Sequence, residues 1–152
     1  MLDALQASWL ARVVGESPLA TASLSSLHLL GFTLVMGSAL LYSLHLLGVL
    51  LPEAPTTAIV RPATRALTAG LCLSVVTGAL LALPRADSAA MNPIFRLKML
   101  LLVSGVLVHA FVVTPLAARP HARVMTRRLS GLASLAVWAG VAVAGCAFIL
   151  LE

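Results

Sequence analysis

Three histidines stand inside long apolar stretches of this sequence: His28, His45 and His109. An imidazole in hydrocarbon is costly, so it turns toward other protein groups and marks a place where an ion, a proton or a ligand is handled. Neutral imidazole is also a good ligand for iron and copper. His28 and His45 belong to one series, His28, Gly31, Val35, Ser38, Tyr42 and His45, spaced by 3, 4, 3, 4 and 3 residues. Residues so spaced share one face of a helix. A second series, Lys98, Leu102, Gly105 and His109, is spaced by 4, 3 and 4. His45 stands six residues before Leu51 and His109 nine before Ala118. At about 1.5 Å of rise per residue, two parallel helices ending at those points set the rings only about 5 Å apart in height. Two imidazoles at one depth on facing seams could clamp a b-type haem, as bundles of four helices do. Gly105 would leave room for the flat ring, and Arg61 or Arg65 could pair with its propionates.

His28 lies toward the opposite end, at the depth of Met99 and Cys146. It extends the cofactor-binding set in one of two ways. With Met99 it could hold a second haem. With Met99 and Cys146 it could hold Cu(I), which soft sulfur ligands select. His121, in a basic loop, reads as a solvated side chain. The sequence carries no triad, phosphate loop, dinucleotide fingerprint or HExxH motif, so the chain is not expected to be an enzyme by itself.

The elements that must position these residues follow from composition. The chain has 152 residues, of which 61% are hydrophobic and 10% charged. A soluble domain is about 45–50% apolar and about 25% charged, and a core of this size could not hide the surplus from water. Four apolar segments, about 24–51, 62–83, 93–118 and 127–151, each meet the roughly 20 residues that a membrane span requires. With no water in the bilayer core to satisfy the backbone, they must be helices. The fold expected is all-α, an integral membrane four-helix bundle forming a single transmembrane domain. Residues 2–14 read as a short amphipathic helix in the interface, with Leu2, Leu5, Trp9 and Val13 on one side. Residues 1–23 lack the pattern of a cleaved signal peptide.

In lipid, helices associate through small and polar residues. The seam of the first span is the histidine series above. The second offers Gly70, Ser74, Thr77 or Gly78, and Leu81, and the fourth Gly131, Ser134, Trp138, Val141 and Gly145. Cys72 and Cys146 fit neither a disulfide framework nor a zinc site, and read as small buried apolar side chains.

The net charge of +5 sits in short loops beside the spans, where it reports topology; nucleic acid is not the partner expected. Arg61, Arg65, Arg119, Arg123, Arg127 and Arg128 fall on one side, against Arg12, Arg85, Arg96 and Lys98 on the other. Basic loops stay in the cytoplasm, which places both termini outside a bacterial inner membrane.

Several short motifs carry a resemblance. Glu16-Ser17-Pro18, His28-Leu29-Leu30-Gly31, Gly37, Leu44-His45-Leu46-Leu47-Gly48 and Asn92-Pro93-Ile94-Phe95-Arg96-Leu97-Lys98 resemble an uncharacterised bacterial family of four-helix membrane proteins. That family is similar to copper-resistance D-type proteins and, more distantly, to small b-type cytochromes. The resemblance implies that a metal or haem role falls first on His28, whose counterpart recurs in the first helix. It departs at His45 and His109, where relatives carry other residues. The function expected is a small cytochrome-like membrane protein that holds haem b and passes electrons. The alternatives are a copper-handling protein and a structural or accessory subunit. The partners expected are the lipid bilayer and other membrane subunits, or further copies of the chain.

Overall fold

The computed structural model describes residues 6, 8–119 and 122–150. Their helices are α1 (Trp9–Glu16), α2 (Pro18–Leu47), α3 (Thr56–Ala82), α4 (Ala86–Met91), α5 (Pro93–Val108), α6 (Thr114–Ala117) and α7 (Val124–Leu150). A 3₁₀ turn, Leu83–Arg85, joins α3 to α4, and a π turn, His109–Val113, joins α5 to α6. Among the described residues four helical stretches are long and apolar enough to cross a membrane: Pro18–Leu47, Thr56–Met91, Pro93–Ala117 and Val124–Phe148. The chain is an all-α, multi-pass membrane bundle.

Local chemistry sets the helix ends. The Ser8 hydroxyl accepts from the Ala11 amide at 3.2 Å and starts α1. Ser17 closes α1 and caps α2, accepting from Ala20, with Pro18 in the first helical position where its missing N–H costs nothing. The first span therefore begins before residue 24. It also ends earlier than hydropathy predicts. Gly48 adopts φ 80° and sends its N–H back to the carbonyls of Leu44 and His45, so Val49, Leu50 and Leu51 lie outside the helix. The second span begins at Thr56, directly after Pro55, and carries Pro62 within its second turn. The third and fourth agree with the expected limits to within three residues, Leu151 of the fourth lying outside the described residues. Asn92 caps α5, its Oδ1 accepting from Ile94 at 2.8 Å and Phe95 at 3.3 Å, with Pro93 following.

The interfacial helix expected at 2–14 is observed as Trp9–Glu16; residues 2–5 and 7 lie outside the described residues. It does not float free. Ala11 and Val14 are buried, and Gly15 sits against Pro84 in the 3₁₀ turn. Trp9, Leu10 and Val13 face outward, which suits the membrane interface.

The packing order is α3–α2–α7–α5. The α2–α3 interface is the most extensive, α7 packs on both α2 and α5, and α3 meets the third span mainly through α6. The α2–α3 crossing rests on two glycines. A Cβ at Gly31 would stand 2.9 Å from the Gly70 carbonyl oxygen, and one at Gly70 only 2.6 Å from that of Gly31. Close approach of small residues replaces the hydrophobic drive that lipid does not supply. Gly31, Val35, Ser38, Tyr42 and His45 are buried, as are Gly70, Thr77, Gly105, His109, Gly131, Ser134, Trp138 and Val141. The seams read from spacing are thus the interior faces. Cys72 and Cys146 depart from expectation: both are exposed, on the outward faces of α3 and α7, because neither lies on its helix's seam.

Candidate functional sites in the membrane interior

Polar side chains gather at two levels of the bundle. At the level of the basic loops, His45 is completely buried in the last turn of α2. Its Nδ1 lies 3.2 Å from the Leu50 carbonyl and 3.1 Å from that of Leu51. Both are acceptors, so Nδ1 carries the proton and donates. Its Nε2 then holds the lone pair, and faces the Thr56 hydroxyl at 3.4 Å and the Arg127 guanidinium at 3.5 Å. Both ring nitrogens are engaged by the chain itself. The ring ties the α2–α3 loop to the end of its own helix.

One turn deeper, the Trp138 indole N–H donates to the Tyr42 hydroxyl at 3.0 Å, and that hydroxyl shares a 2.7 Å hydrogen bond with Ser134. Tyr42, Trp138 and Ser134 are wholly buried. The His109 ring packs on Tyr42, centroids 5.0 Å apart. The Thr64 hydroxyl gives its proton to the Val60 carbonyl at 2.7 Å, which leaves it to accept from His109 Nε2–H at 3.1 Å. The lone pair of His109 then sits on Nδ1, which is buried and without a partner. This ring opens a π turn. Pro115 cannot donate to the Phe111 carbonyl and crowds it, and the Thr114 N–H reaches back five residues to the His109 carbonyl. The Thr114 hydroxyl also donates to that carbonyl, at 3.0 Å.

This geometry bears directly on a haem between His45 and His109. The difference in height is the one expected: His109 packs beside Tyr42, three residues before His45, a rise of about 4.5 Å. The space beside Gly105 holds the Trp138 indole, whose Cζ2 is 3.1 Å from where a Cβ would stand. His45 Nε2 points its lone pair at hydrogen-bond donors. The residues here do not fit a macrocycle clamped between these two rings. Arg61 and Arg65 are exposed on α3.

At the level of α1, His28 faces α3. Its Nδ1 lies 3.0 Å from the Ser74 carbonyl and 3.2 Å from the Thr77 hydroxyl, whose own proton goes to the Leu73 carbonyl. His28 Nδ1 therefore donates, and Nε2 keeps its lone pair. Gly78 makes room for the ring: a Cβ there would stand 2.9 Å from Cε1. Lys98 of α5 lies within electrostatic reach of His28 and of Cys146. Its Nζ is 3.9 Å from the Cβ position of Gly145 on α7. All four long helices thus contribute to this level. The proposed copper set His28, Met99 and Cys146 has the Lys98 cation within electrostatic reach of two of its members, which opposes a bound cuprous ion. Among the described residues no group of three or more His, Cys, Asp or Glu is placed to hold a metal. His121 lies outside the described residues.

Sequence reading placed Trp138 on the seam of the fourth span but missed two contacts, its bond to Tyr42 and that of Arg127 to His45. The Trp138 bond was legible in principle, since an indole N–H in a span needs an acceptor and Tyr42 lay on the facing seam. Arg127 reaching His45 was not, because it depends on where α2 ends.

The chain belongs to a family described as "Family of unknown function (DUF6644)", whose sequence pattern matches residues 8–150. No curated protein and no solved structure matches it.

Proposed function

Starting from membership of that family, we propose that the chain is a non-catalytic subunit of a larger membrane assembly, a compact helical scaffold that transforms no substrate itself. One observation carries this reading: three sets of interior polar side chains fasten helices to each other. The Trp138–Tyr42–Ser134 chain joins α2 to α7, His109 joins the third span to α3, and His45 joins the α2–α3 loop to α7 through Arg127. A bundle so fastened offers its apolar outer faces to lipid and to neighbouring subunits. The excess of arginine around Arg119–Arg128 supports a bacterial inner membrane with both termini outside. Extraction from native membranes in a mild detergent tests the reading. The chain should migrate with a complex several times its own mass of 15.8 kDa. Migration as a lone chain or a simple homo-oligomer would overturn it.

A second reading, electron transfer through haem b in the manner of small b-type cytochromes, is favoured by one feature. His109 Nδ1 is a buried, unpartnered lone pair inside a π turn, a distortion common at functional sites. On this reading His109, without His45, would be the ligand. Protein purified from haem-replete cells should then show a reducible Soret band that His109→Ala removes and His45→Ala leaves.

A further inference from the structure

The third span touches α3 mainly through α6, so α3 and α5 stand apart along the rest of their length. The gap is a groove of about 220 Å³ lined by Leu71 and Val75 of α3 and by Leu102, Val103, Val106 and Leu107 of α5. The groove is wholly aliphatic and opens to the bilayer. Its upper end is one helical turn from Lys98 on α5 and adjoins Ser74 on α3, where His28 is anchored. An aliphatic channel thus leads to a cation beside an imidazole lone pair.

Lys98 has no hydrogen bond or ion pair among the described residues, and none of the four long helices contains an Asp or Glu. A lysine inside a span pairs with something or marks where a ligand's charge sits. No carboxylate among the described residues pairs with Lys98, which leaves its charge open to a ligand. The ligand's chemistry is narrowed by His28, whose Nδ1–H is committed to Ser74 and Thr77, so that Nε2 only accepts. The head must therefore offer one negative charge to Lys98 and one acidic O–H to His28. A phosphomonoester has both in its monoanion, the form that results when the proton of its second ionisation, pKa about 6, is shared with His28 Nε2. A phosphodiester has the charge without the hydroxyl. A quinol has the hydroxyl without the charge.

We propose that the groove and the His28–Lys98 pair form a binding site for a lipid with a phosphomonoester head, its chain along α3 and α5 and its phosphate between Lys98 Nζ and His28 Nε2. The site goes beyond the subunit reading and stands or falls separately from it.

The test uses the full chain in phosphatidylcholine nanodiscs doped equally with phosphatidate and phosphatidylglycerol, with retained lipid read by native mass spectrometry. Phosphatidate should be retained at least tenfold over phosphatidylglycerol. Lys98→Gln should abolish that preference, and Lys98→Arg should keep most of it. Val103→Phe, on an exposed position of the groove, should weaken retention while leaving the melting temperature in place, which separates lost binding from lost folding. Equal retention of the two lipids, or a preference that survives Lys98→Gln, would overturn the proposal. So would displacement by inorganic phosphate at the same concentration as by short-chain phosphatidate, which would mark an anion site without a lipid groove, or displacement by a short-chain quinol.

Discussion

The side chains that matter most here are those whose polar atoms have nowhere else to go. Tyr42 serves two partners at once, accepting from Trp138 and sharing a proton with Ser134. Tyr42→Phe strands a buried indole N–H, which costs about 1–3 kcal/mol. Trp138→Phe removes the donor instead and leaves Tyr42 with Ser134, so the loss of the bond itself should be nearer the ~0.6 kcal/mol average for hydrogen bonds between membrane helices. Thermal denaturation in detergent should rank Tyr42→Phe as the more damaging, and the double variant should lose less than the sum of the two. His45→Phe should act differently. It frees the Leu50 and Leu51 carbonyls and releases the α2–α3 loop. Limited proteolysis should then cut within residues 48–55, with stability reduced by about 1–2 kcal/mol. These residues show how far the sequence could be read. That His28, Tyr42, His45 and His109 point inward was plain from spacing alone. What each ring does with its two nitrogens was not, because tautomers are set by partners on other helices: Ser74 for His28, Thr64 for His109, Arg127 for His45.

At the level of the helices, glycines divide into those that permit contact and those that do not. Gly70→Val would drive methyl groups into the Gly31 carbonyl and Leu34, so α2 and α3 must separate. Overpacking of this kind costs about 1–3 kcal/mol or more. Gly37, one to two turns along, has nothing within 4 Å of where a Cβ would stand. Gly37→Ala should be neutral or stabilising by up to about 1 kcal/mol, the helix-propensity difference. Melting curves of the two variants test the assignment of the α2–α3 contact. Hydropathy could find these helices but not their ends. Val49, Leu50 and Leu51 continue the apolar run past Gly48, and only the left-handed backbone of that glycine stops the helix. Pro62 misled in the other direction, since it is carried inside α3, close to a helix start whose carbonyls water can reach.

For the whole molecule, the orientation we propose, with both termini outside, rests on the distribution of arginines. Met91 and Arg123 are exposed at opposite ends of the third span and its following loop. With both termini outside, Met91→Cys should react with a membrane-impermeant maleimide in intact cells, and Arg123→Cys only after the membrane is broken. Reversed labelling would reverse the topology. Cys72 and Cys146 should stay unreactive toward the same reagent, since their exposed positions on α3 and α7 face hydrocarbon.

The π turn has a further consequence for how such chains compare with one another. Gly105, His109 and Val113 are all buried, and the π turn His109–Val113 closes its hydrogen bond over five residues in place of four. The segment holds one residue more than an unbroken helix of the same reach. A shorter chain lacking the exposed Ala110 could therefore present Gly105 and Leu116 to the same neighbours. An alignment that forbids a gap inside the third span would then pair the wrong residues on one side of His109.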